Sequence, residues 1–82
     1  MKNKKLHLIN ELLNEFDAGR TTNDTNKLVS DLDVVYSRVC HISEQYPKDD
    51  VFKSILDFIA TEINFTIENE LNSIDNKEVH NG

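Results

Sequence analysis

Eighty-two residues with a net charge of −6 and 29% charged side chains fit one small domain with a single modest core. Two glycines, one proline and no tryptophan are too few turn-formers for a many-stranded β fold. The acidic balance opposes nucleic acid as a partner, because phosphate binding needs a basic patch.

The first helix is expected over about Lys4 to Asp17. Leu6, Ile9, Leu13 and Phe16 recur at steps of three and four, and Leu12 widens the stripe. Gly19 supplies a stop, since glycine takes the left-handed conformation after a helix end. The segment Gly19 to Asn26 has no apolar side chain and reads as a loop, with Thr22, Asp24 and Thr25 as candidate N-caps. Ahead of this helix stand Lys2, Lys4 and Lys5 with no acid in the first ten residues. They form either a solvated basic tag or a weak contact for an anionic membrane surface.

The second helix is expected from about Thr25 to Gln45. Leu28, Leu32, Val35, Val39, Ile42 and Tyr46 step 4, 3, 4, 3, 4, a heptad seam suited to near-parallel packing. Pro47 closes the segment, since the residue before a proline avoids helical geometry. A third helix begins near Asp49 and Asp50, either of which suits the positive end of a helix dipole. Its stripe is Phe52, Leu56, Ile59, Ile63, Ile67, Leu71 and Ile74. The steps from Ile59 are 4, 4 and 4, a stutter that unwinds a heptad seam and sets Glu70 on the azimuth of Phe52. One long helix is favoured over a break near 64–69, because no glycine or proline interrupts 51–74. The fold class is therefore all-α: an antiparallel up-down bundle of three long helices, or four if the last one breaks near 64–69. The domain spans residues 1–75, and 76–82 reads as a disordered polar tail.

No catalytic, metal or cofactor-binding residue is expected. His7, His41 and His80 are scattered, and there is no His-x-x-x-His, Cys-x-x-Cys or Glu-x-x-His pair. Cys40 and His41 are neighbours on a helix and point about 100° apart. Cys40, the single cysteine, fits a reducing compartment and reads as a small buried hydrophobe beside the core seam. Acid pairs such as Asp31 and Asp33 read as solvated faces. No apolar run approaches the roughly 18 residues that span a bilayer. The basic start is broken by Asn10 and Glu11 before a leader's apolar stretch builds up, so a cytosolic protein is expected. Phe58 and Phe65 lie a heptad apart and off the main stripe. With Val51 they are either a second core seam, the commoner arrangement, or an exposed pair open to a partner.

Leu8-Ile-Asn-Glu-Leu-Leu-Asn-Glu-Phe16, Leu28-Val-Ser-Asp-Leu-Asp-Val-Val-Tyr36 and Val51-Phe-Lys-Ser-Ile-Leu-Asp-Phe-Ile59 together suggest a family. Over residues 5–65 their order and spacing resemble the immunity proteins of class IIa (pediocin-like) bacteriocins, the enterocin A immunity family. The chain is shorter than most members and has no distinct fourth helix. The resemblance implies a small cytosolic helical bundle without catalysis. Such a protein protects its producer by binding, at the cytosolic face, the complex of bacteriocin and mannose permease and keeping the pore shut. In that family the C-terminal half recognises the complex. Independently of any family motif, Phe58, Phe65, Asn69 and Asn72 are the expected partner contacts, with Lys2, Lys4 and Lys5 at the membrane surface. The rival expectation is a regulatory or adaptor bundle that binds another protein, or its own copy, through the same aromatic face. An enzyme or phosphotransfer module using His41 is a third expectation, ranked last because the small residues that would let a partner domain approach are absent around it.

Overall fold

The computed structural model describes the backbone of residues 4–81 and the side chains of residues 4–73. Three helices follow in order: α1 (Lys4–Arg20), α2 (Thr25–Gln45) and α3 (Asp50–Asn81). No strand occurs among the described residues. Short connections reverse the chain twice, so α2 runs antiparallel to both neighbours. It is the central helix, packing closely on both α3 and α1, which touch each other less.

Each helix start has a sequence cause. Asp24 takes an extended backbone and accepts from the Asn26 N–H at 3.0 Å and the Lys27 N–H at 3.5 Å. It is the cap of α2, ahead of Thr22 and Thr25. The Thr21 and Thr22 hydroxyls turn back instead onto the carbonyls of Asp17 and Ala18, using acceptors that the end of α1 leaves free. Asp49 caps α3, its Oδ1 accepting from the Phe52 N–H at 3.0 Å.

Gly19 does not do what the sequence suggested. No glycine among the described residues has a positive φ, and α1 runs through Gly19 to Arg20. The residue is buried because α2 comes close there. A Cβ at Gly19 would stand 2.8 Å from Leu32 Cδ2 and 3.6 Å from Asp31 Cβ. Its missing side chain serves close packing rather than chain reversal.

The core consists of Leu12 from α1, Leu28, Leu32, Val35, Val39 and Ile42 from α2, and Phe52, Leu56, Ile59 and Ile63 from α3. The seams expected on α2 and the first half of α3 are thus the buried ones. On α1 the stripe is rotated. Leu12 is fully buried, Leu8, Ile9 and Phe16 are half-buried, and Leu6 and Leu13 are exposed. Two contacts set that azimuth: Gly19 against Leu32, and Arg38 of α2, which pairs with Glu15 and lies 3.7 Å from Glu11. Leu6 and Leu13 lie about half a turn from Glu15 and so turn away from α2.

α3 does not break. It is continuous over 32 residues, about 48 Å of helix, and gives the molecule its 54 Å long axis. The segment read as a polar tail from Asn76 falls within its last turns, and Gly82 lies outside the described residues. After Ile63 the stripe drifts as the stutter requires: Ile67 is half-buried and Leu71 exposed. Glu70 takes the inward azimuth, and its Oε2 accepts from Thr25 Oγ1 at 2.5 Å. Thr25 is the first residue of α2, where the helix dipole favours a carboxylate. Glu70 therefore stands level with the start of α2, and 71–81 extend beyond it.

Candidate docking face

The groups with chemical potential are dispersed. His7 Nε2 lies 3.0 Å from Glu11 and His41 Nε2 3.3 Å from Gln45 Nε2, each one turn away on its own helix. The His80 side chain lies outside the described residues. Among the described residues no three metal-ligating side chains come together, and no buried polar side-chain atom lacks a partner. Cys40 is exposed, which corrects the expectation of a buried thiol. It sits about 100° round α2 from Val39, past the half-buried edge formed by Tyr36 and Ser43. A hollow of about 500 Å³ lies between α1 and α2, lined by Leu8, Asp33, Val34, Arg38, His41 and Gln45.

The amino-terminal lysines are divided by the fold. Lys5 Nζ pairs with the Asp49 carboxylate and lies 5.3 Å from the Tyr46 ring centre and 5.7 Å from that of Phe52. Those rings meet edge to face at 4.9 Å. Lys5 thus joins α1 to the α2–α3 corner through an ion pair and two cation–π contacts. The hydrogen bond from Lys5, then that from the Phe52 N–H, holds the Asp49 carboxyl below the usual carboxylate range. Lys4 is exposed, and Lys2 lies outside the described residues.

Phe58 and Phe65 resolve the other way from the core expectation. They are 66% and 59% exposed, with Val51 at 73% and Ile55 at 39% beside them. A fully apolar second seam would need a helix to cover it, and neither α1 nor α2 does. Val51, Ile55, Phe58, Glu62, Phe65, Asn69 and Asn72 step 4, 3, 4, 3, 4, 3. Such spacing gathers them within an arc of about 100°, centred about 110° from the buried stripe. The four expected contacts, Phe58, Phe65, Asn69 and Asn72, therefore share one exposed face. Ile55 and Glu62 also belong to it. Reading the run as one inward stripe concealed them, although the heptad spacing was there to find. α3 thus carries two parallel seams, one spent on the core and one unpartnered.

The charge of this face is lopsided. Over residues 50–73, Glu62 lies on the face and Asp50, Asp57 and Glu68 line one flank of it about 100° round the helix, while Glu70 is turned inward to Thr25 and Lys53 is the one base. Glu62 occupies the middle of the outer seam, between Phe58 and Phe65, is exposed, and makes no ion pair among the described residues. No described helix is long and apolar enough to cross a membrane. No family model matches the chain, and no curated protein or solved structure matches it significantly.

Proposed function

We propose that this chain is a non-catalytic binding module whose working surface is the outer seam of α3. One observation carries the reading: two phenylalanines and a valine, each more than half exposed, lie on one face at heptad spacing. Burying such side chains against a partner is worth roughly 1.5–3 kcal/mol each, and clustered aromatics are the usual anchors of protein interfaces. The resemblance to class IIa immunity proteins supplies the first partner to test, a bacteriocin-locked mannose permease met from the cytosolic side. A bundle that keeps a pore shut needs a docking face and no reactive centre.

The test is protection. The chain is expressed in a bacteriocin-sensitive strain and challenged with several class IIa bacteriocins. Wild type is expected to protect, and Phe58→Ala combined with Phe65→Ala to fold normally and fail. Unchanged killing by every bacteriocin sinks the immunity reading. The second reading, an adaptor for a protein away from the membrane, is favoured by Lys5. Its ammonium is held in the bundle corner, which leaves fewer cations for a lipid surface.

A further inference from the structure

We infer that the partner element taken by the outer seam of α3 is a basic amphipathic helix. This rests on the binding-module reading above and names the chemistry of what binds.

The seam's geometry selects a helix. Its side chains keep the strict alternation of threes and fours that interdigitates with another helix. The apolar stretch from Val51 to Phe65 covers about 21 Å, the length of a helical segment of about fifteen residues. The seam's charge selects the sign. Glu62 lies at its centre with a phenylalanine a turn away on either side, so a closing apolar interface traps this carboxylate. Left unpaired there, it would oppose binding strongly. A lysine or arginine facing it neutralises the charge and also lies beside the Phe58 and Phe65 rings, which attract cations. Asp50, Asp57 and Glu68, in a column along one flank of the seam, extend the preference to that rim and speed the approach of a basic segment.

The same charge disfavours the other occupants. The seam from 51 to 72 is centred near Glu62. Antiparallel pairing of two copies brings Glu62 against Glu62, and in-register parallel pairing does so too. Each copy also carries a net charge of −6, so self-association through this face is opposed both locally and at long range. An anionic lipid surface is repelled by the same acids.

The experiment uses the full chain, isotope-labelled, and two synthetic helical peptides of about fifteen residues. The peptides share the same leucines at heptad positions. One carries lysines at the position facing Glu62 and along the rim; the other carries glutamates there. The basic peptide is expected to bind at least about tenfold more tightly, with amide shifts concentrated on 51–72. Glu62→Lys should invert the preference, and Phe58→Ala should weaken the basic peptide about tenfold. Equal affinity for the two peptides, no binding by either, or shifts centred elsewhere overturns the inference. So does a concentration-dependent dimer in sedimentation whose contact maps to the seam. The two readings fail separately. If the double phenylalanine variant loses protection while the basic peptide does not bind, the face stands and the basic partner falls. If protection is absent in wild type but the basic peptide binds as expected, the immunity assignment falls and the partner chemistry stands.

Discussion

α2 and α3 both carry a heptad seam that builds the core, yet their outer faces differ. Around the outside of α2 lie Asp33, Ser37, Cys40, His41 and Glu44, with Val34 the one large exposed hydrophobe. Around the outside of α3 lie Val51, Ile55, Phe58 and Phe65. A single exposed valine is ordinary surface, whereas four apolar side chains in register on one helix are not. Heptad spacing therefore marks an apolar face without saying whether anything covers it. α2 finds its partners inside the molecule, and half of what α3 offers is left over.

The largest effect is expected in the contrast between neighbouring positions. Leu56→Ala or Leu32→Ala, both fully buried, should each cost about 3 kcal/mol, a large share of a small domain's stability. Phe58→Ala, two residues along from Leu56, should change stability by no more than about 0.5 kcal/mol. Urea unfolding of the variants measures both. A loss above about 2 kcal/mol at Phe58 would mean that the outer seam is covered within the folded molecule, which would end the docking argument.

A smaller effect probes why α1 sits where it does. Gly19→Val should destabilise by about 2 kcal/mol, because the added methyls meet Leu32 where even a Cβ has only 2.8 Å. Gly19→Ala should lose less, since alanine regains roughly 1 kcal/mol of helix propensity. If both variants are as stable as wild type in thermal melts, the close approach of α1 to α2 is not what fixes the rotation of the α1 stripe.

Much of this fold was legible because α2 announces itself. Its seam is unbroken, and Asp24 and Pro47 bracket it. α1 was harder to orient because its large apolar residues spread over an arc of about 160°, wider than the face it buries. Which of Leu12 and Leu13 turns inward is decided by Gly19 and by the pairing of Glu15 with Arg38, both long-range facts. The four expected partner contacts did fall on one face, since helical spacing alone places them. Their exposure was not legible, because period 3.5 cannot say whether a second seam is covered. The role of Lys5 was hidden for another reason. Its partners Asp49, Tyr46 and Phe52 lie more than forty residues away in sequence and meet it only when the third helix closes on the first.

That corner gives a pH-dependent prediction. The Asp49 carboxyl is held below the usual carboxylate range by Lys5 and the Phe52 N–H, so it binds a proton more readily in the unfolded chain. Its contribution to stability is full above the unfolded value, near pH 4, and is lost as pH falls through the lower folded value. Lys5→Met should remove most of this acid-side loss. Asp49→Asn should do the same while keeping a residue able to cap α3. Unfolding midpoints followed from pH 6 to pH 2 would show it, and an unchanged slope in both variants would place the acid sensitivity elsewhere.

The smallest expected effect divides α3 itself. Its first half is held by four buried side chains, whereas past the stutter, among the described residues, it is held by half-buried Ile67 and the bond from Thr25 to Glu70. Thr25→Val or Glu70→Gln should therefore cost under about 1 kcal/mol globally, the scale of one hydrogen bond or one charge at a helix end. Locally the loss should be larger in proportion. Amide exchange should quicken over 64–73 and stay unchanged over 52–63, because the two stretches depend on different contacts. The outer seam crosses that divide: Val51, Ile55 and Phe58 lie on the firmly held half, and Phe65, Asn69 and Asn72 on the other. Loosening the Thr25–Glu70 bond should then weaken docking of a helix that engages Phe65 without touching one that engages only Val51 to Phe58. Uniform exchange along α3 would instead make the helix a single unit, and the stutter would mark only a change of azimuth.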